Sequence, residues 1–194
     1  WNKGTVVPLS PKEINKTAIR QAKVLHLDGH HLEAAIYAAT IARESGVKVS
    51  LDAGGIYPGI KRLLPLVDIL IPSEEFTLKI TGESIPEIAA RKLFDIHRPE
   101  ILVVTQGTRG GVLYDGKAFT RYPVFPVEVI DSNGAGDVFH GAFIAGYVKG
   151  MSFGRCAHFA SSVSALKCTG LGARQSVPTY EQALAFLEKW GDSK

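Results

Sequence analysis

The chain has 194 residues, 45% hydrophobic and 21% charged, a composition that suits one soluble globular domain. The formal net charge is only +3, with basic and acidic residues interspersed, which argues against a nucleic-acid or membrane partner. No apolar run is long enough to span a bilayer, and no CxxC pair suggests a metal site.

Taken in chain order, Ser10-Pro11-Lys12-Glu13 combines an N-cap, a first-turn proline and a capping-box glutamate, and predicts a helix running to about Ala22. "KVLHLDG" reads as a short buried strand ending at Gly29. "HLEAAIYAATIARESG" has helical apolar spacing and stops at Gly46. "VKVSLD" is a strand, "IKRLLPLV" a short helix and "DILIP" a strand. Ser73 opens another helix, "IPEIAARKLFDI" adds one more, and "EILVVT" is a strand ending at Thr105. This alternation predicts an α/β fold: a mostly parallel sheet with helices on both faces, in three α/β/α layers.

From Gly107 the rhythm changes. "GGVLYDGKAFTRYP" reads as a hairpin turning at Asp115-Gly116, and "VEVID" as one more strand. Three helices follow, near 134–149, 153–168 and 179–189. Cys156 and Cys168 fall on one helix roughly 18 Å apart, so they cannot form a disulfide. Two unpaired thiols suit a cytoplasmic location. The opening "WNKGTVVPLS" is unlike a domain start, and a sheet of this type wants further strands at its other edge. Residues 1–194 therefore read as a single α/β domain, the C-terminal portion of a larger protein.

In an open α/β sheet, ligands bind beyond the carboxyl ends of the strands. The loops expected there are Asp28-Gly29, Asp52 to Gly55, Ser73 to Glu75, Thr105 to Gly111, and Asp131 to Asp137. The last is the most informative: "DSNGAGDVFHGAFIAGYVKG" runs from Asp131 to Gly150. Gly134, Ala135 and Gly136 have little or no side chain and stand at a helix start. Their N–H groups and the helix dipole favour an anion there. Asp137 then projects from the first turn, placed to accept a proton from an alcohol.

The plainer alternative is that Asp131 or Asp137 merely caps the helix. One acid stands before the glycines and one after them, which is more than capping requires. Gly141, Ala142, Ala145 and Gly146 would let this helix pack closely against the sheet. "TQGTRGG" alone reads as a tight turn. It is not a Walker loop, and it leads into a hairpin where a dinucleotide fingerprint would lead into a helix. His30 and His31 read as helix-start residues, and His140 as a packing residue.

Together these segments resemble the PfkB carbohydrate kinase family, with its ribokinase-like fold. Residues Asp131 to Asp137 match the family's D-[ST]-x-G-A-G-D signature in full. "VVTQGTRGGVLYDG" is similar to its T-x-G-x-x-G segment, and "ASSVSALKCTGLGARQSVPT" to its closing helix and nucleotide loop. The resemblance implies ATP-dependent phosphorylation of a hydroxyl on a sugar-like substrate. Asp137 would be the catalytic base, with amides of Gly134, Ala135 and Gly136 as the anion hole. Thr105, Gly107 and Gly110 would approach the ATP phosphates together with Asp131 and Ser132. Gly172 and the stretch around Ala160 to Lys167 would line the adenine side.

The resemblance further implies Mg²⁺, and a monovalent cation such as K⁺ near Asp131 and Ser176. The family's N-x-x-E motif, which organises Mg²⁺ through water, is replaced here by Ser73-Glu74-Glu75-Phe76, leaving Glu74 or Glu75 as candidates. The family's N-terminal sugar-binding segment and β-sheet lid, a candidate homodimer contact, have no counterpart in this sequence. A rival reading is a nucleotide- or sugar-binding regulatory protein of the same fold without turnover. A hydride-transfer enzyme is disfavoured, because the glycine-acid motif comes late in the chain.

Overall fold

Residues 5–191 are described in the computed structural model, so the first four residues of "WNKGTVVPLS" lie outside it. The chain divides between Glu100 and Ile101 into two compact units.

The first unit holds three parallel strands, β1 (Val24–Leu27), β2 (Lys48–Ala53) and β3 (Ile69–Pro72). β1 pairs with β2, and β2 with β3. Between the first two runs α2 (Leu32–Glu44), whose alanine-rich face, Ala34, Ala35, Ala38, Ala39 and Ala42, is buried with Ile41. β3 is buried along its whole length and leads through the N-cap Ser73 into α3 (Glu74–Thr81); α4 (Pro86–His97) follows.

Three expectations for this unit need correction. The capping box forms, with the Glu13 carboxylate accepting from the Ser10 N–H at 2.8 Å. It nevertheless supports only a 3-10 turn, Pro11–Glu13, and the chain restarts as α1 (Lys16–Gln21). The reason is Asn15, whose extended backbone and side-chain acceptor for the Ala18 N–H begin a new helix. "IKRLLPLV" forms two 3-10 turns, Ile60–Arg62 and Leu64–Leu66, because Pro65 cannot donate within a helix. β1 is only half-buried, as suits its place at the end of the strand order.

The second unit opens with β4 (Ile101–Thr105), followed by β5 (Gly111–Tyr114) and β6 (Phe119–Tyr122), both pairings antiparallel. The hairpin forms as expected. The Asp115 carboxylate accepts from the N–H groups of Lys117 and Ala118, both at 2.9 Å, and this lowers its pKa. "VEVID" is not a strand. The amides at its end turn elsewhere: those of Ile130 and Asp131 donate to the Cys168 carbonyl at 2.8 and 3.2 Å.

Three helices complete this unit: α5 (Ala135–Val148), α6 (Phe153–Cys168) and α7 (Tyr180–Gly191). The small residues of α5 serve a different contact from the one expected. Gly141 and Ala145 are exposed, whereas Ala142 and Gly146 are buried. A Cβ on Gly146 would stand 3.3 Å from the Cys156 sulfur of α6. So the small residues bring α5 against α6. Cys156 and Cys168 are both buried free thiols, and burial pushes the Cys156 thiol up to about 11.

Candidate active site

The site builds from the mouth of α5. Gly134 is its N-cap at φ +77°, a left-handed conformation that glycine adopts without strain. A Cβ there would also come within 3.0 Å of the Ala173 methyl, so a side chain would force two loops apart. No side chain caps this helix, which removes the plain capping role for both aspartates. The Ala135 N–H donates to the Ser132 carbonyl at 3.1 Å, and the first bond into the helix runs from Val138 to Gly134 at 3.0 Å. The amides of Gly136 and Asp137 thus precede the intrahelical ladder, where a helix end attracts anions. Gly136 is exposed, and a Cβ on it would meet nothing within 4 Å.

Asp137 lies in the first turn of α5 and is exposed. Its carboxylate takes no hydrogen bond or ion pair from the described residues. Asp131 is used differently. One carboxylate oxygen accepts from the Asn133 N–H at 2.9 Å, the other from the Gly172 N–H at 2.8 Å. These two bonds, with the nearby Lys167 ammonium, hold its carboxyl below the usual aspartate range. Asp131 is therefore a strut between the segment entering α5 and the loop leaving α6. Ser176 belongs to the same knot, donating through Oγ to the Gly172 carbonyl at 2.8 Å.

A cavity of about 600 Å³ lies within the second unit. Its wall joins Thr105, Gly107 and Gly110 from the loop after β4 to Ser132, Ala135 and Gly136 at the mouth of α5. Apolar side chains, among them Val127, Val129 and Phe139, supply another wall, and Ser161, Ser164 and Ala165 of α6 a third. The cavity thus brings together six of the residues picked out from sequence. Ala160 is not among them: it is fully buried, one position from the lining Ser161. Gly172, bonded to Asp131, also stands outside the wall.

Ser161, Ser164 and Ala165 fall in the Ala160 to Lys167 stretch expected to line the site, but Tyr122 and the specific contacts of Ser164 and Lys167 were not foreseen from sequence. Ser164 donates through Oγ to the Ala135 carbonyl at 2.9 Å and so anchors the first turn of α5. Tyr122 lines the cavity, and burial pushes its phenol strongly up. Lys167, with no exposed surface, donates to the Asp131 carbonyl at 2.7 Å. A serine or lysine inside a helix carries no periodic signal that distinguishes these roles.

In the first unit, Ser73 caps α3 through the Phe76 N–H at 3.0 Å. Glu75 is exposed and its carboxylate is held by Lys79 one turn on, which lowers its pKa. Glu74 opens the helix and is half-buried. Among the described residues no three His, Cys, Asp or Glu side chains cluster as a metal site. His31 starts α2 at φ +50° and accepts from the Leu9 N–H at 2.8 Å. His30 lies 3.1 Å from the Asp28 carboxylate, with its ring tilted against Tyr57. Burial raises the Tyr57 pKa, and Asp28 and Asp52 add to it. The strand-end loops of β1 and β2 therefore share one acidic, aromatic neighbourhood that includes Tyr57, a residue with no motif to announce it.

Comparison with known proteins identifies the family. Residues 2–180 match the pfkB family carbohydrate kinases, and the chain belongs to that family. It is 33% identical over 156 residues to the ribokinase of Haemophilus influenzae, covering 78% of this chain and 51% of that protein. It is 30% identical over 181 residues to the cytidine kinase of Thermococcus kodakarensis, covering 88% and 57% respectively. A crystal structure of a putative ribokinase II from E. coli in complex with ATP and Mg²⁺ superimposes with a TM-score of 0.85 at 26% identity, over 93% of this chain and 63% of that one. The fold is thus ribokinase-like α/β, with a mixed set of six strands. The chain spans about half the length of the curated relatives it matches.

Proposed function

We propose that this chain is the C-terminal, nucleotide-binding and catalytic portion of a cytoplasmic kinase that transfers phosphate from ATP to a hydroxyl of a sugar or sugar-like molecule. The observation that carries this reading is the shared cavity. It sets the glycine loop after β4 against the open amides at the mouth of α5, with Asp137 in the same first turn. A polyanion entering the cavity meets a positive helix end and a turn with no side chain at Gly136.

In this reading the amides of Gly134 and Gly136 hold charge that develops on the moving phosphoryl group. The Ala135 N–H is spent on Ser132, so Ala135 contributes its small size in place of a donor. Asp137, unpaired among the described residues, takes the proton from the acceptor alcohol. The apolar wall and the α6 face accommodate the base of the nucleotide. Mg²⁺ bound to the nucleotide phosphates neutralises charge there. Of the two α3 acids considered for Mg²⁺, Glu75 is committed to Lys79. That commitment is also the one observation favouring a nucleotide-binding regulatory protein without turnover.

The test uses the full-length protein with ATP, Mg²⁺ and a panel of sugars and nucleosides, and reads ADP release. Release that depends on one class of acceptor supports the kinase. ATP binding with no release for any acceptor supports the regulatory protein.

A further inference from the structure

The resemblance that suggests K⁺ near Asp131 and Ser176 meets a difficulty in the geometry. An alkali ion is held by several oxygens whose lone pairs replace its waters. Here all three oxygens of Asp131 already face donors. The two carboxylate oxygens of Asp131 take the N–H groups of Asn133 and Gly172, and its main-chain oxygen takes the Lys167 ammonium. The Ser176 hydroxyl is turned onto the Gly172 carbonyl.

Lys167 is the unusual member of this group. A lysine side chain with no exposed surface is rare unless it is paired, because losing its water is costly. It is the penultimate residue of α6, where the negative end of the helix dipole favours a cation. The next carbonyl, that of Cys168, takes the amides of Ile130 and Asp131. Lys167 thus places a positive charge where the segment entering α5 crosses the segment leaving α6, beside an ionised Asp131.

We infer that Lys167 is a built-in cation for this loop crossing, so that the protein takes no exchangeable monovalent cation there. It is a positioning residue: through Asp131 it holds the turn that presents Gly134 and Gly136. The inference rests on the kinase reading only for what that turn would bind; the charge replacement is independent of it.

The test is thermal melting of the full-length protein without nucleotide, at equal concentrations of potassium, sodium or tetramethylammonium chloride. Wild type should melt within about 1 °C in all three, since a cation with no site adds no stability. Lys167→Ala, which leaves space and an uncompensated Asp131, should melt lower and recover by roughly 3 °C or more in potassium alone. Lys167→Met, which fills the space without charge, should not recover.

A wild type stabilised by potassium over the other salts would overturn the inference. So would a Lys167→Ala variant that melts equally in all three. Should that variant fold in none of the salts, the wild-type series alone decides. Because nucleotide is absent, failure here is distinct from failure of the kinase reading, which ATP binding to wild type reports.

Discussion

The two glycine clusters, Gly107 to Gly111 after β4 and Gly134 to Gly136 at α5, look alike in sequence but divide their labour residue by residue. In the first, a Cβ on Gly110 would lie 2.3 Å from the Tyr122 carbonyl oxygen, and one on Gly111 would lie 2.4 Å from that of Val104. Those two glycines are demanded by the antiparallel strands. Gly107 has open space around it, but its φ of +58° is one that only glycine adopts readily. In the second, Gly134 is demanded by its φ and by Ala173, while Gly136 is open. Every glycine of the first cluster is thus required by its backbone angle or its neighbours, whereas the second holds one, Gly136, that neither requires. A motif match cannot separate the two kinds; backbone angles and distances to neighbouring atoms can.

The sharpest way to break this division is at the acid beside the second cluster. Asp137→Asn should lower turnover by at least about a hundredfold, as loss of a general base does, while ATP affinity and melting temperature stay near wild type. Steady-state kinetics beside calorimetry would check it. Undiminished activity would remove Asp137 from the chemistry.

Next in size are substitutions at the glycines themselves. Gly110→Ala should destabilise by roughly 3 kcal/mol, through both its left-handed φ of +80° and contact with backbone at Tyr122. Gly136→Val should instead cost within about 1 kcal/mol in stability, yet lower kcat/KM by at least about tenfold by crowding the phosphate path. Denaturant melts paired with kinetics on both variants test the contrast. A Gly136→Val protein with wild-type kinetics would mean that the turn meets no phosphate.

The smallest effect concerns Asp131. Its folded pKa is depressed by the amides of Asn133 and Gly172 and by Lys167, from an ordinary value near 3.8. A depressed carboxyl stabilises the fold above its unfolded pKa, and that contribution fades as the pH falls through the folded value. The stability gap between wild type and Asp131→Asn should therefore be constant at neutral pH and close below about pH 4. A gap unchanged down to pH 2 would mean that the carboxylate charge plays no part in the strut.

Much of this was legible in the chain itself. The three parallel strands of the first unit, the hairpin at Asp115-Gly116 and the last three helices follow from periodicity and turn chemistry. What stayed hidden has local causes. Asn15 interrupts a well-formed capping box, and Pro65 splits an apolar run into two turns. Val127 to Asp131 has a strand's alternation, but its final amides are claimed by Cys168. At the site, the glycine-acid signature marked Gly136 and Asp137, whereas Ser164 and Lys167, marked only as part of a stretch, took their particular roles from contacts made across the fold. Ala160 missed the cavity wall because a one-residue step on a helix rotates a side chain by about 100°.

The most direct measurement of the central claim is a crystal structure of the full-length protein with Mg²⁺ and a non-hydrolysable ATP analogue. The account predicts the terminal phosphate within about 3.2 Å of the Gly136 N–H, close to a hydrogen bond, with Asp137 beside it. A terminal phosphate lodged elsewhere, with the mouth of α5 untouched, would contradict it.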